Sequence, residues 1–234
     1  KTRHGAYDGR GNMVTQSPAD IAKAFALFEG KQLYAEAFVP FERELAVMVA
    51  RSVDGDVQAY PVVQTIHERN ICVEVLSPAP VPAAVQEKAH ELAVTVANLL
   101  KGAGMYGIEM FLTEAGEVLV NEIAPRVHNS GHHTTEGNRT SQFEQHIRAI
   151  TGLPLGDTRL IAPATVMVNI LGERNGDTEV KGLSDALAIP GVHIHLYGKS
   201  PTKVDRKMGH LTATADTLDQ ARQNAHAARK ALSI

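Results

Sequence analysis

Gly107-Ile108-Glu109-Met110-Phe111-Leu112-Thr113-Glu114-Ala115-Gly116-Glu117-Val118-Leu119-Val120-Asn121-Glu122 reads as a β-hairpin, two apolar runs around a short Glu-Ala-Gly-Glu turn. Pairing Glu114 with Glu117 sets Phe111 opposite Val120 and Glu109 opposite Glu122. Opposed residues share a face, so two carboxylates stand side by side among apolar neighbours. Like charges directly opposed weaken a sheet, and a buried unpaired carboxylate costs more. A divalent cation relieves both problems. Mg²⁺ takes one or two carboxylates and completes its shell with waters and phosphate oxygens. The plainer alternative is a hairpin whose ends carry solvated glutamates. Asn121 and the polar run Arg126-Val127-His128-Asn129-Ser130 favour the metal. That run follows Glu122 so closely that Arg126, His128, Asn129 and Ser130 must lie near the ion.

Outward from the hairpin, 234 residues can bury one large core or two small ones. A hydrophobic content of 44% and a charged content of 21% are ordinary for a globular protein. A net charge of −3 supplies no general field for nucleic acid or an anionic membrane. Cys72 is the one cysteine, which excludes an internal disulfide and points to a reducing compartment, the cytoplasm. No apolar stretch reaches spanning length, and no signal peptide is visible. The sequence opens on Lys-Thr-Arg without Met, as though it starts inside a domain.

Gly5-Ala6-Tyr7-Asp8-Gly9-Arg10-Gly11 is a glycine-rich loop with Lys1, Arg3 and Arg10 around it. It can hold a phosphate in a backbone nest or serve as a plain hairpin turn. Ser17-Pro18 starts a helix with Ile21, Ala24, Phe25 and Phe28 as its apolar stripe, ended by Gly30. Gln32 to Val39, Glu42 to Val53 and Val57 to His67 read as strands, with Pro61 marking an edge or bulge. Val75 to Pro82 reads as loop. Val85 to Leu100 is amphipathic, with Val85, Ala89, Leu92, Ala93, Val96 and Leu99/Leu100 as its buried stripe. Ser141-Gln142-Phe143-Glu144 is a capping box. Strands follow over 165–171, 192–196 and 209–215, then a helix from Leu218 to Leu232. The pattern is α+β, two helix-covered antiparallel sheets. The one domain boundary falls near Gly30, with a small glycine-loop unit over 1–31 and a larger body over 32–234. Phosphoryl transfer needs positioning and charge neutralisation rather than a protein nucleophile, and no nucleophile signature is present.

Lys1-Thr2-Arg3, the Gly5–Gly11 loop, Glu36-Ala37-Phe38-Val39-Pro40-Phe41-Glu42-Arg43-Glu44, the run from Asn121 to His132, and Thr140-Ser141-Gln142-Phe143-Glu144 together resemble the N5-carboxyaminoimidazole ribonucleotide synthetase (PurK) family. These are ATP-grasp ligases of purine biosynthesis, and the resemblance runs from residue 1 to about residue 215. It implies an ATP-grasp fold and a reaction in which bicarbonate attacks the γ-phosphate of ATP. The resulting carboxyphosphate, or CO₂ released from it, carboxylates 5-aminoimidazole ribonucleotide. It also implies a homodimer.

Carried over by motif, Lys1 and Gly5, Ala6, Tyr7, Asp8, Gly9, Arg10 and Gly11 resemble the lid over the ATP phosphates. Glu36, Ala37, Phe38 and Val39 resemble the hinge that reads adenine, with Glu44 on the ribose and His67 also on the nucleotide. Glu109 and Glu122 match the Mg²⁺ ligands, with Asn121 beside them. Tyr7, Asp8, Arg10, Arg126, His128, Asn129 and Ser130 match the region that holds the aminoimidazole nucleotide and bicarbonate. Arg206 and Lys207 resemble the element that meets the 5′-phosphate, with Lys199 a weaker candidate. His132 and His133 are adjacent and project differently, which argues against a metal pair. Two departures stand out: Ala6 replaces a family glycine, and the family's N-terminal Rossmann-like domain and the start of its lid have no counterpart. The mutase domain fused to fungal relatives has none either. The competing readings are another ATP-grasp ligase, of the formate-dependent glycinamide ribonucleotide transformylase or biotin carboxylase type, and a non-catalytic nucleotide-binding module.

Overall fold

The hairpin forms one edge of the sheet on which the chain is built. A computed structural model describes residues 1–5 and 11–234; Ala6, Tyr7, Asp8, Gly9 and Arg10, the heart of the expected glycine loop, lie outside the described residues. The strands are β1 (Arg43–Arg51), β2 (Val57–Ala59), β3 (Val63–Glu68), β4 (Ile71–Ser77), β5 (Gly104–Leu112), β6 (Val118–Ala124), β7 (Ala164–Leu171), β8 (Val192–Leu196) and β9 (Lys207–Ala215). They pair antiparallel in the order β6-β5-β1-β3-β4-β7-β9-β8, with β2 also on β1. The expectation of two sheets is therefore corrected. The join is β4 on β7, where Glu74 to Ser77 pair with Val168 to Thr165. The Val75–Pro82 stretch read as loop begins as this strand and turns irregular only after Ser77. Pro61 does break a strand, separating β2 from β3.

Register divides the sheet into two faces. On one, Leu45, Val47, Val49, Ile108 and Met110 pack under α2 (Ala83–Leu100). The same face continues as Leu76, Val166, Val168, Leu211 and Ala213 under α6 (Leu218–Ala231). Helix α2 buries Ala89, Ala93 and Ala97, while Leu99 and Leu100 are exposed. The helical stripe thus runs through alanines at steps of four, and the two terminal leucines rotate off it. The other face carries Ala46, Met48, Ala50, Val75, Met105 and Met167. It is crossed by a segment holding a short 3-10 turn at Asn129–Gly131, α3 (Thr134–Gly137) and α4 (Gln142–Thr151). Ser141 caps α4 by accepting from the Glu144 amide at 3.2 Å. The reciprocal half of the box is replaced by a pair between Glu144 and Arg148.

The first 42 residues behave differently. Helix α1 (Pro18–Leu27) starts at Ser17, whose amide donates to Asp20 at 3.1 Å. It buries no residue, and only Phe28 of the expected stripe, just past its end, is covered; Phe25 is 64% exposed. The expected strand over Gln32–Val39 is reduced to a bridge between Thr2 and Leu33. Beyond Tyr34, whose amide donates to the Lys1 carbonyl, no neighbouring strand among the described residues supplies partners.

Candidate active site

Glu109 and Glu122 are directly opposed, although the hairpin does not reach that register as expected. The Thr113 amide donates to Glu117, so the loop is Glu114-Ala115-Gly116 with Gly116 at φ 77, a three-residue turn ending in a left-handed glycine. Phe111 therefore faces Leu119, and Met110 faces Val120, correcting the expected Phe111–Val120 pair. A bulge between Glu109 and Met110 then leaves Asn121 as the extra residue of β6. The turn and the bulge shift the ladder in opposite senses, and the two glutamates meet.

They meet on the face away from α2, because Glu109 pairs with Ala46 across β1. Glu44 and His67 lie on the same face and hydrogen-bond at 2.6 Å (His67 Nδ1 to Glu44 Oε2). Burial pushes the Glu109 carboxyl above its ordinary value; nearby His67 pulls it back, Glu122 and Glu44 raise it further, and Lys207 lowers it. Residues from β1, β3, β6 and the start of β9 thus act on one carboxylate of β5.

His128 lies over Gly107. A Cβ at that glycine would meet the His128 Cβ at 2.6 Å, so only glycine admits the ring there. His128 Nδ1 accepts from the Ser130 amide at 3.4 Å, which leaves the ring proton on Nε2, 3.8 Å from Glu109 Oε1. Burial foremost, then the charges of Arg126 and Lys207, hold this imidazole neutral, its pKa down at about 4. Arg126 is exposed and donates to the Val127 carbonyl at 2.9 Å. Asn129 Nδ2 and Ser130 Oγ are buried and make no hydrogen bond within the described residues.

Of the remaining expected residues, Lys1 and Glu36 form an ion pair. Gly5 and Gly11 flank the undescribed loop. Ala37 and Phe38 are exposed, Val39 is half-buried, and none of them is in a strand. Lys207 acts electrostatically on Glu109, whereas Arg206 is turned onto the Pro201 carbonyl. His133 is fully buried against the Ser130 carbonyl at 2.8 Å, while His132 stacks on His210, so the two do project apart. Sequence reasoning missed Gly107 and Gln142. Gln142 is fully buried and binds both the amide and the carbonyl of His128, at 2.9 and 2.8 Å. Its signal was hidden inside the capping box, whose second position is normally read as indifferent.

No group of three His, Cys, Asp or Glu among the described residues is arranged to hold a metal. Two carboxylates on one face are as many protein ligands as a hard cation needs when waters and phosphate oxygens complete its shell.

A single antiparallel sheet with two opposed glutamates and a neighbouring polar run defines a class, and comparison with known proteins identifies it. The ATP-grasp domain family matches residues 1–143, and the chain belongs to the ATP-grasp family. Within it, residues 165–224 match the phosphoribosylaminoimidazole carboxylase C-terminal domain. The chain is similar to phosphoribosylaminoimidazole carboxylase of Schizosaccharomyces pombe, 48% identical over 93% of this chain and 40% of that protein. It is 46% identical to N5-carboxyaminoimidazole ribonucleotide synthase of Bacillus subtilis, over 91% of this chain and 54% of the relative. The Aspergillus clavatus N5-carboxyaminoimidazole synthase, solved with ADP and 5-aminoimidazole ribonucleotide, superposes with a TM-score of 0.85 at 40% identity, over 92% of this chain and 57% of that one. The chain thus spans about half the length of these relatives. No helix among the described residues is long and apolar enough to cross a membrane.

Proposed function

We propose that this chain carries the ATP-grasp part of an N5-carboxyaminoimidazole ribonucleotide synthase, an enzyme of purine biosynthesis. In this reading a bicarbonate oxygen attacks the γ-phosphorus of ATP, ADP leaves, and carboxyphosphate forms. The amine of 5-aminoimidazole ribonucleotide then attacks the carboxyl carbon. The carbon–oxygen bond to phosphate breaks, inorganic phosphate leaves, and the nitrogen loses a proton. The observation that carries the reading is the meeting of Glu109 and Glu122 on one face, with His128 near Glu109 and Lys207 acting on its charge.

Glu109 and Glu122 would hold Mg²⁺, which supplies charge neutralisation on the terminal phosphates of ATP. Asn121, bulged beside Glu122, lies at the same edge. Lys1 and the loop from Gly5 to Gly11 are assigned to the phosphates. Glu36 to Val39 are assigned to adenine, and Glu44, steadied by His67, to the ribose. His128, neutral and with its proton on Nε2, turns an N–H toward Glu109 without adding a positive charge beside the proposed metal. Arg126 keeps an exposed guanidinium for the bicarbonate or carboxyphosphate anion. Asn129 and Ser130 offer buried polar atoms with no other hydrogen bond within the described residues. Tyr7, Asp8, Arg10, Arg206 and Lys207 complete the nucleotide site in this proposal. Residues 1–31 are assigned to the lid and 32–234 to the body, in a homodimer working in the cytoplasm.

Bicarbonate-dependent ADP release by the intact protein should rise on adding 5-aminoimidazole ribonucleotide. Absence of that stimulation would overturn the reading, and stimulation by formate with glycinamide ribonucleotide, or by biotin, would reassign the chain within the family.

A further inference from the structure

The site face carries a column of rings that none of these roles uses. His132 stacks on His210 with centroids 4.6 Å apart and planes within 11°, and His210 stacks on His195 at 4.6 Å. The stack is fastened at its middle ring and at its His132 end. The Tyr197 hydroxyl and His210 Nδ1 are 2.8 Å apart, and the Lys199 ammonium lies 5.0 Å from the centre of the Tyr197 ring. Lys199 also donates to the Lys207 carbonyl at 2.7 Å. At the His132 end Gln142 Nε2 is 3.2 Å from His132 Nδ1.

The Gln142 amide fixes the chemistry of the column. Its oxygen accepts from the His128 amide, so its two N–H bonds go to the His128 carbonyl and to His132 Nδ1. His132 Nδ1 is then an acceptor, and that ring is neutral. Burial is the main cause of this neutrality in both His132 and His210, with the charge of Lys207 adding to it at His132. Glu136 faces His195 Nε2 at 2.7 Å and is the one acidic side chain at hydrogen-bond distance from the three stacked rings among the described residues.

We infer that Gln142, His132, His210 and Tyr197 form a positioning column that sets the distance between the His128 loop and the Lys199 ammonium. The polar pattern supports positioning over packing: Gln142 spends its hydrogen bonds on the His128 loop and His132. Apolar side chains would fill the same layer without the cost of burying amides and imidazoles. The inference rests on the proposed reaction only in taking those two ends to be ends of the nucleotide site.

Tyr197→Phe removes one oxygen and keeps the ring under Lys199. In the intact protein it should raise KM for 5-aminoimidazole ribonucleotide about three- to tenfold, the worth of one hydrogen bond, while KM for ATP stays at the wild-type value. In ¹⁵N spectra of the imidazoles, His128 should change from one tautomer to a mixture, although among the described residues it hydrogen-bonds to Gln142 and Ser130 and not to Tyr197. Gln142→Glu, of the same shape, should raise the titration of His132, because a carboxylate then faces Nδ1. Unchanged His128 spectra in Tyr197→Phe, or equal rises in both KM values, would overturn the column. If wild type shows no nucleotide-stimulated turnover, the reaction falls, and the spectra still decide the column.

Discussion

Two carboxylates on opposite faces of the same sheet have opposite surroundings. Glu74, on the α6 face, is 2% exposed and is held by Arg222 at 2.9 Å and His226 at 2.9 Å. Glu109, on the other face, has His128 at 3.8 Å, beyond hydrogen-bonding range, and a like charge opposite it. A carboxylate matched by the chain's own cations serves the fold. One that burial and two neighbouring carboxylates push toward protonation is the one assigned, in the proposed function, to a cation from outside. The same sheet thus has alanine-faced helices on one side and neutral histidines, glutamates and Lys207 on the other, the side to which the proposed chemistry is assigned.

The sharpest test of that division is acid. His128, His132 and His133 are held at about 4 and His210 at about 3, against an ordinary value of 6.5. Depressed folded values mean that the unfolded chain takes up protons first. Their contribution is whole above pH 6.5 and is lost as pH falls toward 4. Each should cost on the order of 1.5 kcal/mol between pH 6.5 and 5, read by denaturant melts over that range. Next in size, Glu122→Gln should lower Mg-ATP turnover by about 100-fold or more with an unchanged melting curve. Near-normal turnover would remove Glu122 from the metal role. On the opposite face, Arg222→Ala should do the reverse. It should destabilise by about 1–3 kcal/mol, because Glu74 stays buried with only His226, and turnover should survive. The smallest effect is the most diagnostic. Glu109→Gln should raise the melting temperature of the ligand-free protein at neutral pH, because it removes a charge the fold disfavours. The gain should shrink as pH falls and Glu109 protonates.

Much of this was legible in the sequence. Alternating apolar residues located β1, β6, β7, β8 and β9 within a residue or two and β5 within three, and the opposed glutamates followed from the hairpin. That success concealed two compensating details, since neither the left-handed Gly116 turn nor the Asn121 bulge is visible in hydrophobic pattern. Periodicity showed that α1 has an apolar stripe but not whether the chain covers it, and Phe25 remains exposed. Strand composition over 32–39 could not supply a pairing partner. Gln142, Gly107 and the stacked histidines were out of reach for a different reason. Their roles arise where segments far apart in sequence cross, as when His132 meets His210, and no local spacing encodes that meeting.

The claim that everything else depends on is that Glu109 and Glu122 together bind a metal–nucleotide complex. Calorimetric titration of ATP with and without Mg²⁺ into wild type, Glu109→Gln and Glu122→Gln tests it most directly. The account predicts a metal-dependent gain in affinity for wild type that either substitution largely removes, leaving metal-free binding unchanged. The same metal-dependent gain in all three proteins would contradict it.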